Sequence, residues 1–425
     1  MYKLRTAAPG VRVVSVETNE YKTNVIDVSM AVPLDENAAA NTLLIRLMKR
    51  SSKQYADFTL LNRKLDELYG AYLGASVSKD GDAQILTLSI CCLDDRFALD
   101  NESIAYSCAE LLADLIFNPN ETNGDFGEDK LNLEKRLLIS EILEELDDKR
   151  SYALKQCTSY MCKDEPFGRS VRGTAEEVEN VTMQDIYAAW KRILSTAVFQ
   201  ITVVSGNDVN KIVDLFAERF GRVERQPRNI STLFIKECKE VRRYSELQPV
   251  NQGKLVIGYR AGTEYEDDNY YAIRVMTDIF GGGTYSKLFA NVREKMSLAY
   301  YCSARFNNSK GVIMVQSGID TDKEETVTAE IENQLNDVRN GNFDDEILES
   351  SKRSLVEALT FNSPNVISNW YSRQILSEKI VTPEDDKSGI LAVTKEQVCE
   401  AARNVTKDTI FMLASDGTQE DENED

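Results

Sequence analysis

Between Val25 and Val32 the chain reads as an apolar strand. It runs through Leu34-Asp35-Glu36-Asn37 into Ala40, Leu43, Leu44, Leu47 and Met48, the spacing of one helical stripe. Phe58, Leu61, Leu65 and Leu68 form a second stripe, which stops at Gly70, a residue suited to a helix end. Alternation then resumes up to Val77. The polar run Lys79-Asp80-Gly81-Asp82 supplies a turn, and Ile85-Leu86-Thr87-Leu88-Ser89-Ile90 completes a predicted hairpin.

The same order returns about 230 positions later. A strand over Lys254 to Arg260 leads to Glu266-Asp267-Asp268-Asn269. Helices are predicted from Tyr270 to Phe280 and from Tyr285 to Met296. The hairpin recurs as Ala299 to Ala304, a turn at Asn307-Asn308-Ser309-Lys310-Gly311, and Val312 to Ser317. Late in each half, Thr182-Met183-Gln184-Asp185 and Thr394-Lys395-Glu396-Gln397 read as capped helix starts. Each leads into an apolar strand closing at Gly206 or Gly417.

This repeat divides the chain into an N-terminal half (1–206), a linker (207–249) containing Arg225-Gln226-Pro227-Arg228, a C-terminal half (250–417) and an acidic tail (418–425). The expected class is α+β, with a mixed, largely antiparallel sheet in each half and helices packed on one face. Two facing halves would form a clam-shell around a central cavity.

Charge narrows the partners. With 70 acidic against 50 basic residues, the net charge of −20 argues against nucleic acid and against anionic membrane. No apolar run is long enough to span a bilayer, and the N-terminus lacks an apolar signal core, so a cytoplasmic location is expected. The eight cysteines form no C-x-x-C pair and are read as reduced, buried thiols. The chain contains no histidine. That excludes a Ser-His-Asp or Cys-His pair, an imidazole general base and any His-ligated zinc.

The longest specific stretch is Phe280-Gly281-Gly282-Gly283-Thr284-Tyr285-Ser286-Lys287-Leu288-Phe289, continuing through Arg293-Glu294-Lys295 to Leu298-Ala299-Tyr300. It resembles the C-terminal-half signature of the pitrilysin/insulinase (M16-type) zinc metallopeptidases, departing at Lys287, where arginine is usual. Phe117-Asn118-Pro119, Pro166-Phe167-Gly168 and Gly173-Thr174-Ala175-Glu176-Glu177-Val178 fit the same family's first half. The resemblance implies two homologous halves in a clam shell.

Active relatives carry H-x-x-E-H on the first helix, with a later glutamate completing the zinc ligands. Aligning the helices places Leu43, Arg46 and Leu47 over the two histidines and the glutamate base. Leucine cannot bind zinc and arginine cannot take a proton from water. The resemblance leaves Glu141 as the relic of the third ligand, with Glu144 and Glu145 as alternatives one turn away. Arg46 is expected either to fill the vacated space and pair with Glu141 or to be solvated. No metal and no cofactor is expected.

Arg293 and Tyr300 match the family's Arg/Tyr pair, which contacts substrate in active members. The alternatives are an ion pair between Arg293 and Glu294 and a core position for Tyr300. Gly281, Gly282 and Gly283 are expected to end a helix in a left-handed turn, and the resemblance adds a glycine-rich loop that admits peptides. Three functions follow as expectations. The leading one is a peptide-binding, non-catalytic subunit partnered by an H-x-x-E-H homologue. The second is a homodimeric peptide- or protein-binding scaffold without proteolysis. The third, a hydrolase using other groups, lacks a recognisable carboxylate pair.

Overall fold

The computed structural model describes residues 2–262 and 267–417. Glu266 and the acidic tail 418–425 lie outside the described residues. The chain forms two compact units, each drawn from three stretches. The first comprises Met1–Leu143, Arg169–Ser231 and Phe361–Ile380; the second comprises Glu144–Gly168, Thr232–Thr360 and Val381–Asp425.

The first unit is built on β1 (Tyr2–Ala8), β2 (Val11–Glu17), β3 (Thr23–Pro33), β4 (Tyr72–Asp80), β5 (Ala83–Leu93) and β6 (Val198–Ser205). Their spatial order is β1-β2-β6-β3-β5-β4. Only β2 and β6 run parallel. The predicted strand is β3, and the predicted hairpin is β4–β5, closed by Gly81 at φ +53°. Alternate residues of a strand face opposite ways. Val11, Val13, Ile26 and Val28 meet the helical layer that includes Ala38–Met48, Ile104–Phe117 and Met183–Thr196. Val14, Val16 and Val204 face away from it and pack under Tyr371 and Trp370 of helix Pro364–Ser372.

The second unit repeats the plan with one strand fewer. It contains β7 (Arg242–Gln248), β8 (Gly253–Arg260), β9 (Tyr301–Asn307), β10 (Val312–Ile319) and β11 (Thr406–Ser415). The order is β7-β11-β8-β10-β9, with β7 and β11 parallel. One face carries Ile257, Ile313 and Val315 against helices that include Tyr270–Gly281 and Glu324–Arg339. The other carries Val256, Met314 and Phe411 against Ala153, Cys157 and Met161 of helix Lys149–Met161. Both late helix starts carry the expected capping boxes, Thr182 with Asp185 and Thr394 with Gln397.

The packing units are therefore not the contiguous stretches 1–206 and 250–417. Helix Lys149–Met161 covers the second sheet, and helix Pro364–Ser372 covers the first. The stretch 207–249 is more than a linker, because it contributes helix Asn210–Gly221 to the first unit and β7 to the second. The physical reason is the central strands. β3 and β6 are buried on both faces, so a helix layer on one side leaves the other needing cover.

Polar bonds tie each covering segment in place. Arg12 donates through Nε to Gln200 Oε1 (2.7 Å), through Nη1 to the Ser377 carbonyl (2.8 Å) and through Nη2 to the Gln374 carbonyl. Burial holds the Arg12 pKa below its ordinary value. In the second unit, Arg260 donates to Asp408 (2.8 Å), Glu165 (2.7 Å) and the Met161 carbonyl (3.1 Å). Lys310 reaches the same Glu165 carboxylate at 2.9 Å. Removing one partner of such a buried set would leave an uncompensated charge.

Under helix Pro364–Ser372, the buried Asp27 carboxylate accepts hydrogen bonds from Ser368 Oγ (2.5 Å) and Ser89 Oγ. Burial raises the Asp27 pKa, outweighing the two hydroxyl bonds that lower it. The folded state thus favours the protonated acid. Stability from this group is complete below the ordinary aspartate range and is lost as pH rises through the elevated folded pKa. Asn at this position can accept from one serine and donate to the other. Asp27→Asn is therefore expected to match the wild type near pH 4 and to melt a few degrees higher at neutral pH, the shift that about 1 kcal/mol produces in a domain of this size. Melting curves across that pH range check this.

Candidate functional site

Helix Ala38–Met48 presents Leu43 and Leu47 to the core of the first unit, both buried. Where the resemblance expects two metal-binding imidazoles, the structure has aliphatic side chains packed among other aliphatic side chains. These residues do not fit zinc, because neither offers a lone pair. Among the described residues, no group of three Cys, Asp or Glu side chains is placed to hold a metal ion.

Arg46 projects from the same helix toward helix Glu128–Glu144, which carries Glu134 and Glu141. Its Nη1 and Nη2 donate to the two oxygens of Glu141 at 3.0 and 2.9 Å, a bidentate pair. Its Nε donates to Glu134 Oε2 at 2.6 Å. Arg50, one turn further along, takes the other oxygen of Glu134. Two guanidiniums thus face two carboxylates and neutralise them. Burial by itself lowers the Arg46 pKa, but the hydrogen bonds it donates to Glu141 and Glu134, with the fields of both carboxylates, lift it above the ordinary value. A group so held neither ligates a metal nor accepts a proton. Glu141 and Glu134 both face this helix, and Glu145 pairs with Lys155.

The sequence reading missed Glu134 and Arg50. A signal was present: Arg50 follows Arg46 by four residues, just past the end of its helix, and Glu134 and Glu141 are seven apart on one face of another.

In the second unit, helix Tyr270–Gly281 runs into the triple glycine. The expected left-handed turn is not formed. Gly282 has φ −82° and ψ −47°, and none of the three glycines has a positive φ. Close approach is what requires glycine here. A Cβ on Gly281 would lie 2.5 Å from the Ala304 backbone nitrogen of β9, and one on Gly282 would lie 2.2 Å from Asp278 Oδ2. Tyr285 donates its hydroxyl to Asp278 (2.5 Å), bridging the glycine segment. The predicted helix from Tyr285 to Met296 is instead a π-helix over Leu288–Lys295, its wider turn shown by Met296 N–H donating to the Asn291 carbonyl.

Arg293 lies on this π-helix. Its guanidinium carbon stands 4.7 Å from the centre of the Phe289 ring, and its Nε lies 3.6 Å from Glu294. The adjacent ion pair is thus formed, but it is long and exposed, a geometry that contributes little. Tyr300 is not a core residue. It is 67% exposed, and its backbone N–H donates to the Gly318 carbonyl just ahead of β9.

Residues 180–355 match the family model described as Peptidase M16 inactive domain. Over 414 residues, covering 97% of each chain, the sequence is 29% identical to the probable inactive metalloprotease YmfF of Bacillus subtilis. The chain is similar to proteins of the M16 peptidase family that are described as inactive. The M16 homologue is also 22% identical to an uncharacterized zinc protease of Rickettsia bellii, over 69% of this chain and 71% of the relative. A crystal structure of a conserved protein from Enterococcus faecalis superposes with a TM-score of 0.88 at 27% identity, covering both chains fully. A peptidase M16 inactive domain from Pseudomonas fluorescens shares the fold, with a TM-score of 0.81 at 17% identity over 99% of each chain. No helix among the described residues is long and apolar enough to cross a membrane.

Two substitutions probe these arrangements. Gly281→Ala drives a methyl into the β9 backbone and is expected to cost the M16 homologue about 1–3 kcal/mol, read from denaturant unfolding of the second unit. Arg46→Ala strips Glu141 of its bidentate partner and leaves the buried Glu134 with Arg50 alone. A loss of about 1–3 kcal/mol is expected in the first unit, read from denaturant unfolding.

Proposed function

We propose that this M16 homologue binds peptides and serves as the non-catalytic subunit beside a homologue carrying H-x-x-E-H. The observation that carries this reading is an asymmetry between the two units. The position of the general base holds Arg46 locked between two glutamates, whereas Arg293 and Tyr300 stay exposed next to a close-packed glycine segment. A guanidinium offers fixed donors to a peptide carbonyl, and a phenol can donate to a developing oxyanion. Neither group is needed by a scaffold that only holds a partner. Chemistry that needs an activated water would come from the other subunit.

Metal analysis and a reconstituted assay test this. The purified chain is expected to hold far less than the about one zinc per chain of a filled tetrahedral site, and to cleave no peptide. Mixed with an H-x-x-E-H homologue it should restore hydrolysis, and Arg293→Ala should slow that hydrolysis by about tenfold or more. Stoichiometric zinc in the isolated chain, or unchanged turnover with Arg293→Ala, would remove the proposal. Copurification with itself alone, with no peptide bound, would favour a homodimeric scaffold.

A further inference from the structure

Arg150, on helix Lys149–Met161, is held unusually still for an exposed arginine. Its guanidinium carbon lies 4.2 Å from the centre of the Tyr301 ring, and its Nε donates to Oε1 of the buried Gln316 on β10 (3.0 Å). The ring below it is itself fixed. Tyr301 opens β9 and lies so close to Gly318 of β10 that a Cβ there would fall 2.5 Å from Tyr301 Cε1. The backbone beneath is capped, because Arg150 N–H donates to Asp148 Oδ1 at 3.1 Å.

This arrangement uses one of the five guanidinium donors and leaves both terminal nitrogens without a partner among the described residues. In a chain with a net charge of −20, that is unexpected. The nearest acid in sequence, Asp148, is spent on Arg150 N–H, Ser151 N–H and Ser151 Oγ. A planar fork fixed at its Nε edge and stacked on one face presents its free edge to a two-oxygen ligand. Tyr300 N–H donates to the Gly318 carbonyl, so Tyr300 and this fork share one end of the sheet.

We propose that Arg150 is the anchor for a peptide carboxylate, taken as a bidentate pair on its two terminal nitrogens. The inference rests on the peptide-binding reading and names the group by which that peptide would be recognised. The carboxylate belongs either to the peptide's C-terminus or to an acidic side chain. General acidity of the surface disfavours acidic peptides elsewhere, so a cation with its terminal nitrogens open sets the register.

Two experiments on the full chain test the anchor separately from peptide binding. In the first, N-acetylglycine and N-acetylglycinamide are titrated into arginine-labelled protein. The Arg150 Nε–H signal, assigned with Arg150→Gln, should shift saturably with the acid and not with the amide; no shift with either overturns the anchor. In the second, one labelled unstructured peptide is measured as the C-terminal acid, as the amide, and as the amide with one internal glutamate. Arg150→Gln should weaken the form that carries the recognised carboxylate by about tenfold and leave the plain amide unchanged. Arg150→Lys should recover only part of that loss. Equal binding of all three peptides, unaffected by Arg150→Gln, overturns the anchor and spares the peptide reading. Binding of N-acetylglycine with no binding of any peptide does the reverse.

Discussion

Everything in this architecture follows from central strands that are buried on both faces. β3 and β6 turn Ile26, Val28, Ile201 and Val203 to one side and bury residues on the other side as well. A single layer of helices cannot cover such a sheet. The missing cover comes from a helix far away in sequence, and the same device serves the second sheet. That requirement produces the interleaved chain, and it explains why buried arginines with carbonyl partners cluster where the covering segments dock. Arg12 and Arg260 both donate to main-chain oxygens near the ends of these segments, fixing where each covering helix must sit.

The lost metal site shows how a fold absorbs a change of chemistry. Two leucines join the core outright, which stabilises the helix by burial and asks nothing of its neighbours. The buried Glu134 opposite cannot be left unpaired, since an isolated carboxylate loses far more hydration than packing returns. Arg46 and Arg50 answer that demand. The positive charge facing Glu134 and Glu141 is thus covalently attached to the chain. The rigid glycine segment in the second unit follows a different logic, because there the limit is space and not charge.

Much of this was legible in the sequence. Period-two and period-3.6 patterns located the strands, hairpins and capped helices, and the internal repeat predicted two sheets of the same connectivity. The resemblance put Leu43 and Leu47 at the positions of two imidazoles and Arg46 at that of the general base. Two things were hidden. The exchange of Lys149–Met161 and Pro364–Ser372 leaves no local trace, because an amphipathic helix does not encode which sheet receives it. The conformation of Gly281–Gly283 was misjudged for a similar reason. Glycine serves both a left-handed turn and a close backbone contact, and only the position of Ala304 distinguishes them. Glu134 was missed because its partner lies on another helix.

The reciprocal loan of one helix has a bearing on how this chain can be dissected or inherited. Cut anywhere around Gly221 to Lys239, each fragment would keep a sheet whose far side belongs to the other fragment, leaving Val14, Val16 and Val204 bare on one and Val256, Met314 and Phe411 bare on the other. Such pieces would be sticky and mutually complementary. The duplicated lobes are therefore bound to a common fate, and neither can be lost, swapped or expressed without its twin.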